Sequence, residues 1–239
     1  MAQHAPPARG ARLGRAAGAN GSVSTVSGVV LLLPGASRFS PGPVRPLARA
    51  LARAGREDGL VVHAVGYGAG PREEAARWAA DEAVRLYGDV PVCLAGHGAG
   101  GGAALRAAGH GAVNSVLAMA PCLTDAGHDA SPEPVKQLAG RQVLIVHGTN
   151  DARSDPEASF LLAARAKKAN RSTCRFEVHS DGHGLREHQA EVVALAVDFV
   201  LGAMVSGRYS RPVTDALAAP PPLGLRMPLA SGFGRSLRG

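Results

Sequence analysis

Two residues of this 239-residue chain stand where chemistry is easiest to do: an acid and a histidine, each in a polar turn just past an apolar run. Asp151 lies in HGTNDARSDP and His183 in SDGHGL. A carboxylate that holds one nitrogen of an imidazole leaves the other free to take a proton, so the pair is a candidate general base toward a hydroxyl, a thiol or water. A third turn, in LAGHGAGGGA at 94–103, joins the apolar run VPVCLAG to a helical pattern. A nucleophile could stand at its apex, but the apex residue is Gly98, which has no side chain. Two other residues could attack in its place. Cys122 follows an apolar run in APCL, and its thiolate would be a strong nucleophile if paired with His183. Ser37 sits beside LLLPGAS. Asp155 competes with Asp151 as the acid, but Asp155-Pro156 reads better as a helix N-cap. Asp181 reads as a turn former, His97 as structural, and His179 and His188 as surface or strand-end residues.

The elements that must position these residues alternate regularly. Apolar runs at 28–35, 60–68, 90–96, 114–121, 141–148 and 173–180 read as buried strands. Helical spacing predicts helices over 44–55, 71–88, 99–110, 155–169 and 185–204. Strands without in/out alternation, separated by helices, predict a mostly parallel sheet with helices on both faces. Functional loops then lie at the carboxyl ends of the strands. Segment 122–140 is too short for a large cap domain. The expected organisation is a disordered segment at 1–22, one domain at 23–204, and a Pro/Gly/Arg-rich tail at 205–239 that is irregular or wraps the domain.

Composition narrows the function classes. Aromatic residues are only 4%, so Val, Leu and Ala must fill the core. The net charge is +7, carried almost wholly by arginine; only Lys136, Lys167 and Lys168 are lysine. That usage fits a high-GC bacterial genome, and no basic stripe with interleaved aromatics accompanies it, so a nucleic-acid partner is not expected. No segment is expected to reach the ~18 apolar residues of a membrane span, the best candidate, GVVLLLPGA, being too short, and no membrane partner is expected. Three scattered cysteines, Cys93, Cys122 and Cys174, point to reduced thiols and a cytoplasmic protein. There is no metal-ligand spacing, no complete G-x-G-x-x-G context and no Walker lysine, so neither a metal nor another cofactor is expected.

In LLLPG, GHGAGG, HGTNDARSDP and SDGHG, over roughly residues 28–202, the chain resembles the α/β-hydrolase family, in particular small bacterial members of the dienelactone-hydrolase and esterase type. The resemblance implies the α/β-hydrolase fold and cleavage of a small-molecule ester or acyl ligand by a nucleophile–His–Asp set without a cofactor. It places the base at His183, the acid at Asp151, the nucleophile at Gly98, and an oxyanion hole at the backbone N–H of Ala99 with that of Gly35 or Ala36. The frame Gly96-His97-Gly98-Ala99-Gly100 fits G-x-S-x-G except that glycine replaces the serine. Losing such a nucleophile costs on the order of 10⁶-fold in rate, while the rest of a site keeps ~10³–10⁴ over water. The elbow also resembles that of the non-enzymatic N-myc downstream-regulated proteins. Two readings stay open: an impaired hydrolase, or a non-catalytic pseudoenzyme that binds a small molecule or a protein. Oligomeric state is left open.

Overall fold

The computed structural model describes residues 10–18, 25–35, 42–123 and 133–234. In chain order, two short strands, β1 (Arg12–Leu13) and β2 (Ala17–Gly18), precede β3 (Gly28–Leu33), α1 (Val44–Ala54), β4 (Leu60–Gly66), α2 (Arg72–Tyr87), β5 (Val92–His97) and α3 (Ala99–Ala107). They are followed by β6 (Val113–Met119), β7 (Gln142–Gly148), α4 (Pro156–Ala169), β8 (Thr173–Val178), α5 (Gln189–Leu201), α6 (Arg211–Ala218) and β9 (Met227–Pro228).

The main strands lie in the order β4-β3-β5-β6-β7-β8-β9, all parallel. Each of β3 to β8 has side chains to bury on both faces. In β3, Val30 and Leu32 face one core with Leu47, Leu51 and Phe199, while Val29, Leu31 and Leu33 face the other with the α2 alanines. This is why the strand reads as one apolar run: alternate residues serve opposite cores. Helix α2 presents Ala75, Ala76, Ala79, Ala80 and Ala83, small side chains that bring its axis close to the sheet. No large cap domain interrupts the alternation among the described residues.

The N-terminal end differs from expectation. Residues 10–18 are placed on the sheet edge, where β1 and β2 pair antiparallel with β4; the rest of the expected disordered segment lies outside the described residues. The tail from 205 packs on the domain. Val213 and Ala216 of α6 are fully buried, β9 extends the sheet beside β8, and Lys167 Nζ donates to the Ala216 carbonyl at 2.8 Å. One stretch, Gln189–Ser206, is long and apolar enough to cross a membrane, against the expectation that none is. Its Val192, Leu195, Ala196, Phe199 and Val200 are fully buried in the protein core.

The chain leaves β3 toward β4 on one side and returns to β5 on the other, so strand order reverses between β3 and β5. Crevices at such a switch point, beyond the carboxyl ends of the strands, are where open parallel sheets bind ligands. Gly35, Gly98, Cys122, Asp151 and His183 follow the carboxyl ends of β3, β5, β6, β7 and β8, respectively.

Candidate active site

Gly98 is the single residue between β5 and α3, with φ +57° and ψ −123°. Glycine occupies that region at little cost, whereas a side chain there is strained. The turn is tight enough to demand its neighbouring glycines. A Cβ on Gly96 would lie 2.2 Å from the Gly100 carbonyl oxygen, and one on Gly100 would lie 2.1 Å from that of Leu33. The elbow is tied to β6 by two bonds: Gly98 N–H donates to the Met119 carbonyl at 2.9 Å, and Cys122 N–H donates to the Gly98 carbonyl at 2.9 Å.

A Cβ built on Gly98 would stand 3.0 Å from His183 Nε2 and 3.8 Å from Cys122 Sγ. The empty side-chain direction of the elbow therefore points at the imidazole. His183 Nδ1–H donates to Asp151 Oδ2 at 2.9 Å, which leaves Nε2 for the elbow and for Cys122. The Asp151 bond, and after it a hydrogen bond with the Cys122 side chain, push the His183 imidazole up to about 9 against the opposing effect of burial.

Asp151 is over-determined. It is buried, which alone would push its carboxyl up. Hydrogen bonds from His147, His183, Ser154 and the Arg153 N–H outweigh that and hold it well below the usual carboxylate range. Oδ2 accepts from His147 Nε2 at 3.0 Å and from the Ser154 hydroxyl at 2.7 Å; Oδ1 accepts from the backbone of Arg153 at 2.8 Å and Ser154 at 3.1 Å. Behind it, His147 Nδ1 meets Ser159 Oγ at 2.8 Å, and Arg175 Nε donates to the same oxygen at 3.1 Å. His147, Ser159 and Arg175 are fully buried.

No family model and no curated protein matches this chain. Solved structures do. The Pyrococcus furiosus esterase Pf2001 superposes with a TM-score of 0.62 at 15% identity, over 75% of this chain and 84% of that one. Est1E from Butyrivibrio proteoclasticus, with ferulic acid bound, gives 0.61 at 15% identity over 82% of this chain and 97% of the other. XC6422 from Xanthomonas campestris, an α/β serine hydrolase without lid, gives 0.57 at 17% identity over 77% and 86%. The fold is that of the α/β-hydrolases.

In this α/β-hydrolase fold the structure brings Gly98, Cys122, Asp151 and His183 together. Gly35 is half-buried and close to His97: a Cβ on it would meet His97 Nδ1 at 3.2 Å. Ala36 and Ser37 lie outside the described residues. Ala99 opens α3, so its N–H has no partner within the helix and stands at the positive end of the helix dipole. His97 is buried, and its Nε2–H donates to the His183 carbonyl at 2.7 Å, pinning the loop that carries the base. Burial holds the His97 imidazole below its ordinary value. Asp155 caps α4, accepting from the Glu157 N–H at 2.8 Å. Asp181 ties its own turn, accepting from the N–H groups of Gly182 at 2.9 Å, Arg186 at 3.1 Å and His188 at 3.0 Å. His179 is exposed and His188 half-buried.

Sequence reasoning missed His147 and Ser154. The Ser154 hydroxyl touches both partners of the pair, donating to Asp151 and lying 3.1 Å from His183 Nδ1. Position was the available signal: each lies within four residues of Asp151, His147 at the end of β7 and Ser154 in the turn after it.

Proposed function

We infer that this protein is an ester- or acyl-directed α/β-hydrolase-fold protein in which serine-type hydrolysis is lost at Gly98 while the acid and base are kept. The reading rests on one observation: the vacant Cβ direction at Gly98 ends 3.0 Å from the nitrogen that would take a proton. His183 is the base, Asp151 holds its tautomer and stabilises the imidazolium, and the Ala99 N–H, with a second N–H from Gly35 or Ala36, receives the oxyanion. With no hydroxyl at Gly98, His183 can direct water at a bound ester only as a weak general base. The ligand class to try first is a small ester of a carboxylic acid, in keeping with the ferulic acid held by a protein of the same fold. The chemistry calls for no cofactor, and the reduced thiols fit a cytoplasmic setting.

The test is hydrolysis of short-chain activated esters by the native protein and by Gly98→Ser, side by side. The introduced Cβ needs the His183 ring to yield by a few tenths of an ångström. Turnover that rises sharply in the variant supports the reading. A folded variant as slow as the native protein on every ester contradicts it and favours the non-catalytic, ligand-binding alternative.

A further inference from the structure

Cys122 is placed at the elbow by several independent features. At the end of β6, Ala120 takes a left-handed φ of 42°, an uncommon and strained state for alanine, and so turns the chain across the crevice. The glycines that open α3 make room for the segment beyond that bend. A Cβ on Gly101 would press Pro121 at 3.3 Å, and one on Gly102 would lie 2.3 Å from the Cys122 carbonyl oxygen. Glycine costs a helix interior about 1 kcal/mol per residue relative to alanine, and here the cost is matched by a segment seated directly on the helix. The Cys122 N–H then closes onto the Gly98 carbonyl at 2.9 Å.

We propose that Cys122 is the acyl acceptor of this site, a thiol displaced from the elbow apex that attacks a short acyl donor with His183 as its base. The inference rests on the ester- or acyl-directed reading above. A Cβ at Gly98 would lie 3.0 Å from His183 Nε2 and 3.8 Å from Cys122 Sγ, so the thiol and the imidazole face the same point of the crevice, and Asp151 occupies the opposite nitrogen, Nδ1. The three side chains thus form a thiol–imidazole–carboxylate relay. Cys93 and Cys174 are built differently: both are fully buried and burial pushes their thiols up to about 12. Cys122 is half-buried and borders a cleft of about 30 Å³, between 121–123 and 153–158.

The step balances without an added reagent. His183 Nε2 takes the thiol proton, and the sulfur attacks the ester carbonyl carbon. The C–O bond to the alcohol breaks, and the imidazolium returns the proton to the departing oxygen. A thioester on Cys122 and a free alcohol result. Water then attacks that thioester, His183 taking its proton; the C–S bond breaks, releasing the carboxylic acid and regenerating the thiol.

The experiment exposes the full-length protein to 4-nitrophenyl acetate at pH 9, where an imidazole raised to about 9 is available to take a proton, followed by intact mass and peptide mapping. The expected result is one acetyl group on the Cys122 peptide, removed by neutral hydroxylamine as a thioester is. Cys122→Ala should lose the label, and His183→Gln should slow labelling roughly a hundredfold, as expected when the thiol loses the base that takes its proton. Acetylation confined to lysines or to the N-terminus overturns the proposal. So does a Cys122 labelling rate unchanged in His183→Gln. Turnover by Gly98→Ser with Cys122 unlabelled in the native protein also overturns it, while leaving the ester-directed reading intact. Labelled Cys122 beside an inert, folded Gly98→Ser supports the thiol and removes the serine-elbow claim instead.

Discussion

Asp151 is gripped by donors from its own turn, from β7 and from the loop after β8, whereas Gly98 presents no functional atom at all. The base side of the crevice has a buried second layer of His147, Ser159 and Arg175. The nucleophile side has a glycine relaxed in a conformation that would strain a side chain. The two differ in how much structure each requires. An oriented, charged carboxylate in a buried place needs many converging donors to offset desolvation. A nucleophile needs one atom on a correctly bent turn, and that turn persists without it.

Adding the missing atom is the change with the largest expected effect. Gly98→Ser should raise kcat/KM for activated acetyl esters on the order of 10⁴-fold, since most of the cost of losing a nucleophile is recovered when the rest of the site stands. Steady-state kinetics with active-site titration checks this. On that background, Asp151→Asn should reduce kcat roughly 10³-fold, with Ser154, 3.1 Å from His183 Nδ1, retaining part of the ring's orientation. Circular dichroism alongside the kinetics separates lost chemistry from lost fold.

Smaller changes test the packing behind the two sides. Gly102→Ala puts a methyl against the Cys122 carbonyl and should destabilise by about 1–2 kcal/mol, the overpacking cost less the gain in helix propensity. Urea unfolding measures it, and reaction of Cys122 with a thiol reagent reports whether the 121–122 segment has moved. A further effect is one of pH. The folded-state pKa of His183 is raised from 6.5 to about 9, so its contribution to stability is full below 6.5 and is lost as pH rises toward 9. Asp151 is depressed below 3.8, so its contribution is present above 3.8 and is lost on further acidification. The urea midpoint should therefore fall between pH 6.5 and 9, and His183→Gln should flatten that slope while leaving the acid limb.

The sheet was legible because each strand buries both faces and so reads as a continuous apolar run between Gly and Pro punctuation. The positions of Asp151 and His183 were legible because parallel strands deliver their following loops to one edge. Other features depend on tertiary contacts that leave no period in the sequence. Helix α5 begins at Gln189 rather than 185 because Leu185 takes a left-handed φ of 48° and Asp181 gathers the N–H groups of the intervening loop. Strands β1, β2 and β9 are two residues long, and pairing with β4 or β8 is what makes them strands. The proline-rich tail shows no period in the sequence, and its course depends on contacts such as the buried Arg175 guanidinium, which donates to the Leu225 carbonyl at 2.9 Å. His147 lies inside the apolar run of β7 and reads as core, while Ser154 is brought to Asp151 by a loop that has no helix or strand period.

The central claim is that His183 and Asp151 form a competent base aimed at the empty apex of the elbow. A fluorophosphonate probe tests it most directly, because it marks only hydroxyls that a base has activated. Gly98→Ser should be labelled at the substituted position, and Gly98→Ser/His183→Ala should not. A folded Gly98→Ser that resists the probe, or one labelled equally well without His183, would contradict the claim.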